Sequence, residues 1–290
     1  MQIRVLGSVA GGGVPQWNCN CSNCRQARRN GSFLSQSSAA VSADGKKWLL
    51  LNASPDLVFQ FASFPPLSPR EKNFRGSAVQ AVILTDGEMD HAVGLLSLRE
   101  QKSLRLVCTR AVKNLLTRQF PLLPTLEKYC QIHHSTFPVR IAGIQVSALE
   151  LETDKAPPYA RRPARRGEVV GLRLKANGRS FVYLPGLPAI NRAVNEFVTG
   201  CDCLLVDGTF WSEHEMPALG LSKRTARDMG HVPMGGTGGS LEWLRALKVP
   251  RKIYTHINNT NPILQKKSRE RRTVQRAGVE ISHDGMDIRL

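Results

Sequence analysis

Apolar residues along the 290-residue chain come in short runs rich in branched side chains, bounded by Gly, Pro, Asn and Asp. Such runs predict β-strands in "IRVLGSV", "WLLLNAS", "AVQAVILT", "LRLVCT", "VRIAGIQVSALEL", "VVGLRLKA", "RSFVYLPG", "CDCLLVDGTF" and "KIYTHI". Helical spacing predicts helices in "AVGLLSLREQ", "TRAVKNLLTRQF", "INRAVNEFVTG" and "GGSLEWLRALK". The first half of the chain is strands with a few helices, and the second half repeats that order. This predicts an α/β fold of four layers, with two packed sheets and helices outside, as a single domain over 1–290. The segment "DKAPPYARRPARRGE" (154–168), rich in Pro and Arg, reads as an exposed loop inserted between strands.

Polar residues interrupt this pattern at strand ends, and there they carry chemistry. In "VILTDGEMDHAVGLL" (82–96) an apolar strand surfaces into Asp86, Glu88, Asp90 and His91 before an apolar run resumes. Asp207 closes "CLLVDGT", His231 lies in the Met- and Gly-rich "DMGHVPMGG", and His256 follows "KIYT". In α/β folds the carboxyl ends of strands are where sites are usually built. Four chain ends that each deliver an imidazole or a carboxylate point to a metal or acid–base centre.

Composition narrows the class. The hydrophobic fraction of 41% and charged fraction of 22% describe a soluble globular protein. No stretch approaches the ~20 apolar residues of a membrane span, and "MQIRVLGSVAGGG" lacks a signal-peptide profile. Seven cysteines, three of them in "CNCSNC" (19–24), suit a metal better than disulfides, so a reducing cytoplasm is the expected location. The net charge of +17 attracts polyanions such as nucleic acid or acidic membranes and favours acidic peptides. Its basic clusters, Arg161-Arg162, Arg165-Arg166 and "QKKSRERR" (265–272), lie far apart and lack interleaved aromatics. A solvated surface is therefore preferred to a nucleic-acid face.

Taken together, "LGSVAGGGVPQWNCNCSNC", "LNASPD", "LTDGEMDHAVGLLSLRE", "DGTFW", "MGHVPM" and "THINNTNP" resemble the coenzyme PQQ synthesis protein B family, in order and over nearly the whole chain. The resemblance implies the αββα sandwich of the metallo-β-lactamase superfamily, with a metal site at the edge between its sheets. Aligned on Asp90-His91, the superfamily motif His-x-His-x-Asp-His has Asp86 and Glu88 in its first two histidine positions. His256 matches its late histidine. This implies one metal held by Asp90, His91 and His256, a two-histidine, one-carboxylate set suited to non-haem Fe(II), with Zn²⁺ as the other candidate. Asp86 or Glu88 adds a further oxygen ligand or orients a ligating histidine. His231 corresponds to the superfamily proton donor. Asp207 is an orienter, a substrate contact or a plain turn residue. Thr255, Asn258, Asn259 and Asn261 read as caps of the turn around His256.

The function so implied is a step of pyrroloquinoline quinone (PQQ) biosynthesis, an iron-dependent hydroxylation of a small acidic tyrosine-derived precursor in which Glu and Tyr are cross-linked. Other proteins of that pathway are the implied partners, and a dimer is compatible with the sequence. Two other classes stay open, a carrier or transport-assisting protein for PQQ or its precursor, and a superfamily hydrolase such as a phosphodiesterase or RNA-processing nuclease. Cys19, Cys21 and Cys24 can wrap a tetrahedral Zn²⁺. The resemblance implies a structural zinc there, as in related phosphodiesterases. Those relatives supply a histidine where this chain has Asn259, which leaves His283, His231 or water for the fourth position. Cys108, Cys130, Cys201 and Cys203 read as small core residues. The Gly-rich "GSVAGGGVPQW" lacks a Walker Lys-Ser/Thr, no clear helix follows it, and it reads as a tight loop close to the site.

Overall fold

The computed structural model describes residues 1–69 and 74–290. The chain first lays down β1 (Gln2–Gly7), β2 (Ser38–Ser42), β3 (Trp48–Leu51), β4 (Val79–Ile83), β5 (Ser103–Val107) and β6 (Gln131–Ser135). It continues with β7 (Val139–Ile141), β8 (Ile144–Glu150), β9 (Val170–Ala176), β10 (Arg179–Leu184), β11 (Cys203–Asp207), β12 (Arg251–Thr255), β13 (Glu280–Ile281) and β14 (Asp287–Arg289). These form two sheets, in the orders β14-β1-β2-β3-β4-β5-β6 and β13-β12-β11-β10-β9-β8-β7. Each sheet is antiparallel at one end and parallel at the other, with β3 to β6 and β10 to β13 as the parallel halves. After thirteen strands built in sequence, β14 returns to pair with β1.

The strands are apolar on both faces because both faces are covered. Leu49, Leu51 and Ile83 point between the sheets against Leu172, Leu174, Phe181 and Leu205. Leu50, Val82 and Leu84 point outward under Leu57, Leu95, Leu116 and Leu123. In the second sheet Val182, Leu204 and Val206 are covered by Val194, Val198, Leu241 and Leu244. Period-2 alternation at β3 thus serves two cores at once, and the four layers are helix, sheet, sheet, helix.

Several elements depart from the sequence reading. The run "VRIAGIQVSALEL" is two strands, because Ala142 and Gly143 adopt left-handed φ values of 50° and 79° and turn the chain. Most of "AVGLLSLREQ" is a 3₁₀ helix, Val93–Leu98, and "TRAVKNLLTRQF" passes from α-helix to a π-turn at Leu115–Gln119. Strand β2, Ser-rich "SAAVS", and strand β6, polar "QIHHS", carry too little apolar signal to be found. A helix, Ser22–Asn30, does follow the Gly-rich stretch. The 154–168 segment is not simply exposed: Pro157, Ala160, Gly167 and Glu168 are buried, and Val169 bridges to Asp86.

Candidate metal centre

The parallel halves of both sheets end at one edge, where β4, β11 and β12 deliver Asp86 to His91, Asp207 and His256. Asn52, at a left-handed φ of 59°, grips the first of these loops. Its amide donates to Thr85 Oγ1 at 3.0 Å and accepts the Thr85 N–H at 3.0 Å. The next turn is held by Ala53 N–H donating to the His91 carbonyl at 2.7 Å and Gly94 N–H donating to the Ala53 carbonyl at 2.9 Å. His256 also has a left-handed φ, 55°, uncommon for a residue with a Cβ and frequent where function demands a fixed direction. Backbone bonds from Ile257 N–H to Ser8 O and from Ala10 N–H to Ile257 O hold it there. The Gly-rich loop also reaches the site. A Cβ on Gly11 would lie 3.2 Å from Asp90 Oδ2, so a side chain there would crowd that oxygen.

Donor atoms of Asp90, His91 and His256 lie within 4.8 Å of one another. His256 Nε2 is 3.2 Å and His91 Nε2 is 4.0 Å from Asp90 Oδ2. Behind His91, both oxygens of buried Asp86 face Nδ1 at 2.8 and 2.9 Å, and they also accept Thr85 Oγ1–H and Glu88 N–H. Asp86 is therefore engaged away from the donor cluster. It assigns the Nδ1 proton of His91 and turns Nε2 toward Asp90. That Nε2 is buried and has no hydrogen-bond partner among the described residues. An orphaned ring nitrogen beside a carboxylate and a second imidazole fits a metal ion.

His256 is oriented by a longer relay. Asp207, fully buried, accepts the N–H groups of Leu187 and Thr209 at 2.8 and 2.9 Å and the Thr209 hydroxyl at 2.6 Å. The Thr209 oxygen, its one proton given to Asp207, accepts from His256 Nδ1 at 2.8 Å. This again leaves Nε2 as the free nitrogen. Asp207 Oδ2 also accepts from His231 Nδ1 at 2.7 Å, and the His231 and His256 rings stack 5.5 Å apart. Asp207, His231 and His256 form a second donor group within 4.8 Å. Because Asp207 already accepts four hydrogen bonds, it acts on His231 and His256 rather than on a bound ion. Thr209 was missed in the sequence, since a lone Thr after a strand carries no periodic or motif signal.

The electrostatics follow from this packing. Burial opposes charge on the Asp90 carboxyl, yet His91 and His256 hold it well below the usual carboxylate range. Burial pulls the His91 pKa down, but the Asp86 and Asp90 carboxylates outweigh it and raise it to about 9. Asp86 and Asp207, also desolvated, are kept low by His91 and by His231 and His256 respectively. A cavity of about 280 Å³ opens over these groups. Glu88, half-buried on its wall, pairs with Lys155 from the 154–168 loop and is not in either donor group.

Cys19, Cys21 and Cys24 bring their sulfurs within 4.8 Å, and no histidine or carboxylate among the described residues joins them. His231 belongs to the other centre, and exposed His283 faces the Asp284 carbonyl, so neither supplies a fourth ligand. The side chain that reaches the cluster is Asn259, with Nδ2 3.3 Å from Cys24 Sγ. Asn23 ties this knuckle to the His256 turn by donating to the carbonyls of Asn259 and Asn261, each at 2.9 Å. Asn259 and Asn261 thus do more than cap a turn, whereas Asn258 bonds to Thr260 within it. Burial pushes the Cys108, Cys201 and Cys203 thiols up, to between about 11 and 12, in keeping with inert core positions.

Residues 47–257 match the Beta-lactamase superfamily domain. With the αββα sandwich and a donor cluster at the shared sheet edge, the chain belongs to the metallo-β-lactamase superfamily. Within it, the chain belongs to the coenzyme PQQ synthesis protein B family. It is 45% identical over 306 residues to coenzyme PQQ synthesis protein B of Methylococcus capsulatus, covering 100% of both chains. It is 44% identical over 304 residues to that of Cupriavidus necator, covering 99% of both. The crystal structure of Zn(2+)-bound PqqB from Methylobacterium extorquens superposes with a TM-score of 0.92 at 35% identity over 100% of both chains. A diphosphatase from the PhnP family, at 20% identity and a TM-score of 0.71, shares the fold. Membership of the family gives the chain a role in PQQ biosynthesis. No helix among the described residues is long and apolar enough to cross a membrane.

Proposed function

We propose that the chain is a mononuclear non-haem iron hydroxylase acting on the tyrosine-derived, cross-linked Glu–Tyr precursor of PQQ. Asp90, His91 and His256 would hold the metal. The observation that carries this reading is the orphaned, buried His91 Nε2, aimed by Asp86 at the same point as His256 Nε2 and Asp90. Fe(II) on two imidazoles and one carboxylate keeps open positions at which substrate and dioxygen can meet. One oxygen atom would enter the ring and the other leave as water, with two electrons from an external reductant.

The chain's own residues do the rest. His231, its Nδ1 held by Asp207, has one ring nitrogen free to exchange a proton with the substrate's phenol oxygen. Asp207 stabilises the charged ring that results. Val169, Pro157, Phe210 and Met229 supply apolar walls that restrict water around the reacting ring. The chain's free thiols suit a reducing compartment, which also keeps iron ferrous.

Anaerobic iron loading followed by oxygen-uptake measurement with the Glu–Tyr precursor tests the proposal. Substrate-dependent uptake, abolished by His91→Ala or His256→Ala, supports it. Substrate affinity unchanged in those variants without any uptake would make the chain a carrier, and zinc-dependent cleavage of a phosphodiester reporter would make it a hydrolase.

A further inference from the structure

The cavity wall carries an ion pair that the metal centre does not use. Lys155, from the 154–168 loop, contacts Glu88, two residues before Asp90. Among the described residues it is the Lys or Arg pair with a carboxylate that has both members on this cavity. Their side chains are 19% and 27% exposed, so both keep a face toward the opening. The Lys155 stem crosses to the opposite rim, where a Cβ on Gly230, beside His231, would lie 3.4 Å from its Cδ. The pair therefore spans the mouth between the loop that carries Asp90 and the loop that carries His231.

Loop anchoring does not require this pair. Tyr159 donates its hydroxyl to the Gly87 carbonyl, Val170 N–H donates to Thr85 O at 2.8 Å, and Arg162 grips buried Glu168. Of the other charged side chains on the wall outside the metal centre, Glu168 is paired with Arg162 and the Arg165 N–H, while exposed Arg224 gives one N–H to the Asp228 carbonyl at the rim. A ligand that brings one carboxylate and one ammonium can replace each member's partner without leaving a charge unpaired. An α-amino acid head has that composition, and Pro157, Pro158, Phe210 and Met229 give the same cavity an apolar lining of the kind an aromatic ring packs against.

Building on the hydroxylase reading, we infer that Lys155 and Glu88 are specificity residues that clamp the zwitterionic α-amino acid head of the substrate, Lys155 on its carboxylate and Glu88 on its ammonium. The ring is thereby directed at Asp90, His91 and His256. Glu88 stands in a position that the superfamily motif gives to a metal-binding histidine, and the clamp is what this carboxylate does there instead.

Ligand-observed NMR titration of the zinc-loaded full-length protein separates the two charges. The probes are L-tyrosine, tyramine, which lacks the carboxylate, and 3-(4-hydroxyphenyl)propionate, which lacks the ammonium. Lys155→Met is expected to weaken L-tyrosine and the propionate about tenfold and not to weaken tyramine, whose ammonium no longer competes with Lys155 for Glu88. Glu88→Gln is expected to weaken L-tyrosine and tyramine about tenfold, not to weaken the propionate, whose carboxylate no longer competes with Glu88 for Lys155, and to retain both zinc ions. Equal losses across the three probes, no saturable binding of L-tyrosine by the wild type, or zinc loss in Glu88→Gln would overturn the clamp. Oxygen uptake without this selectivity rejects the clamp and keeps the hydroxylase. Selectivity without uptake does the reverse.

Discussion

Asp86 places both carboxylate oxygens 2.8 and 2.9 Å from Nδ1 of His91, five residues further on, and so sets which nitrogen of that ring is free. Replacing Asp86 by Ala removes the orienting charge while leaving the Asp90, His91 and His256 donors in place. Active-site metal affinity is expected to fall about 10- to 100-fold. Competition with a calibrated chelator measures it, and an unchanged affinity would refute the orienting role.

Thr209 is the link between Asp207 and His256, giving its proton to one and accepting from the other. Thr209→Val keeps the shape and removes both bonds. The variant is expected to lose about 1–3 kcal/mol of stability, because a buried carboxylate and an imidazole N–H each lose a partner. It should also bind metal more weakly than wild type, whereas Thr209→Ser should recover most of both. Thermal unfolding beside metal titration of the three proteins checks this.

Metal must compete with a proton at His91. In metal-free protein the raised pKa of about 9 keeps the ring charged at neutral pH, so metal binding expels a proton. Apparent affinity is therefore expected to climb about tenfold per pH unit from roughly pH 7 and to level off above about 9. The folded pKa lies above the unfolded value of about 6.5, so the charged ring's contribution to stability is complete below the unfolded value. It disappears as pH rises through about 9. Metal-free wild type should thus lose stability between pH 7 and 10, and His91→Ala should show a flatter profile in denaturant titrations.

Gly94 sits where a side chain cannot. A Cβ there would lie 2.1 Å from the Ser54 carbonyl oxygen and 2.7 Å from that of Ala53, both backbone atoms. Gly94→Ala must shift the segment that holds His91, at an expected cost of about 3 kcal/mol or more. A melting temperature within a degree of wild type would contradict this.

Asn259 occupies the approach to the three sulfurs, its Nδ2 3.3 Å from Cys24 Sγ. Asn259→His would offer an imidazole to complete a Cys₃His set. Zinc at this knuckle is expected to resist EDTA at least about tenfold longer than in wild type, as read by metal analysis over time.

Local pattern carried much of the architecture. "WLLL" at 48–51 is legible as a strand because burial on both faces leaves a continuous apolar run, and "DGEMDH" is legible as a site because carboxylates and a histidine interrupt such a run. Strand β6 is not legible: at the sheet edge its "QIHHS" is held by backbone bonds to β5 and shows no apolar face. The 154–168 loop misled for the opposite reason. Its Pro and Arg look like exposed loop chemistry, yet Glu168 is buried under Arg162 and Tyr159 docks on Gly87.

Strands such as β2 and β6 escaped the amino-acid sequence, but by itself it carried the four-layer class, the family and the candidate donors Asp90, His91, His256 and the three clustered cysteines. Those depend on local periodicity and on motifs whose residues are close in the chain. Tertiary structure alone decided how the donors are used: Asp86 behind His91, Thr209 between Asp207 and His256, Lys155 against Glu88 across 67 positions, and His256 beside Asp90 across 166. No periodicity encodes such pairs. Those around His256 exist because parallel strands of two different sheets end at one edge, and Lys155 reaches Glu88 because the loop between β8 and β9 folds over that edge. A hydrogen bond forms only between atoms that the completed fold brings within about 3 Å.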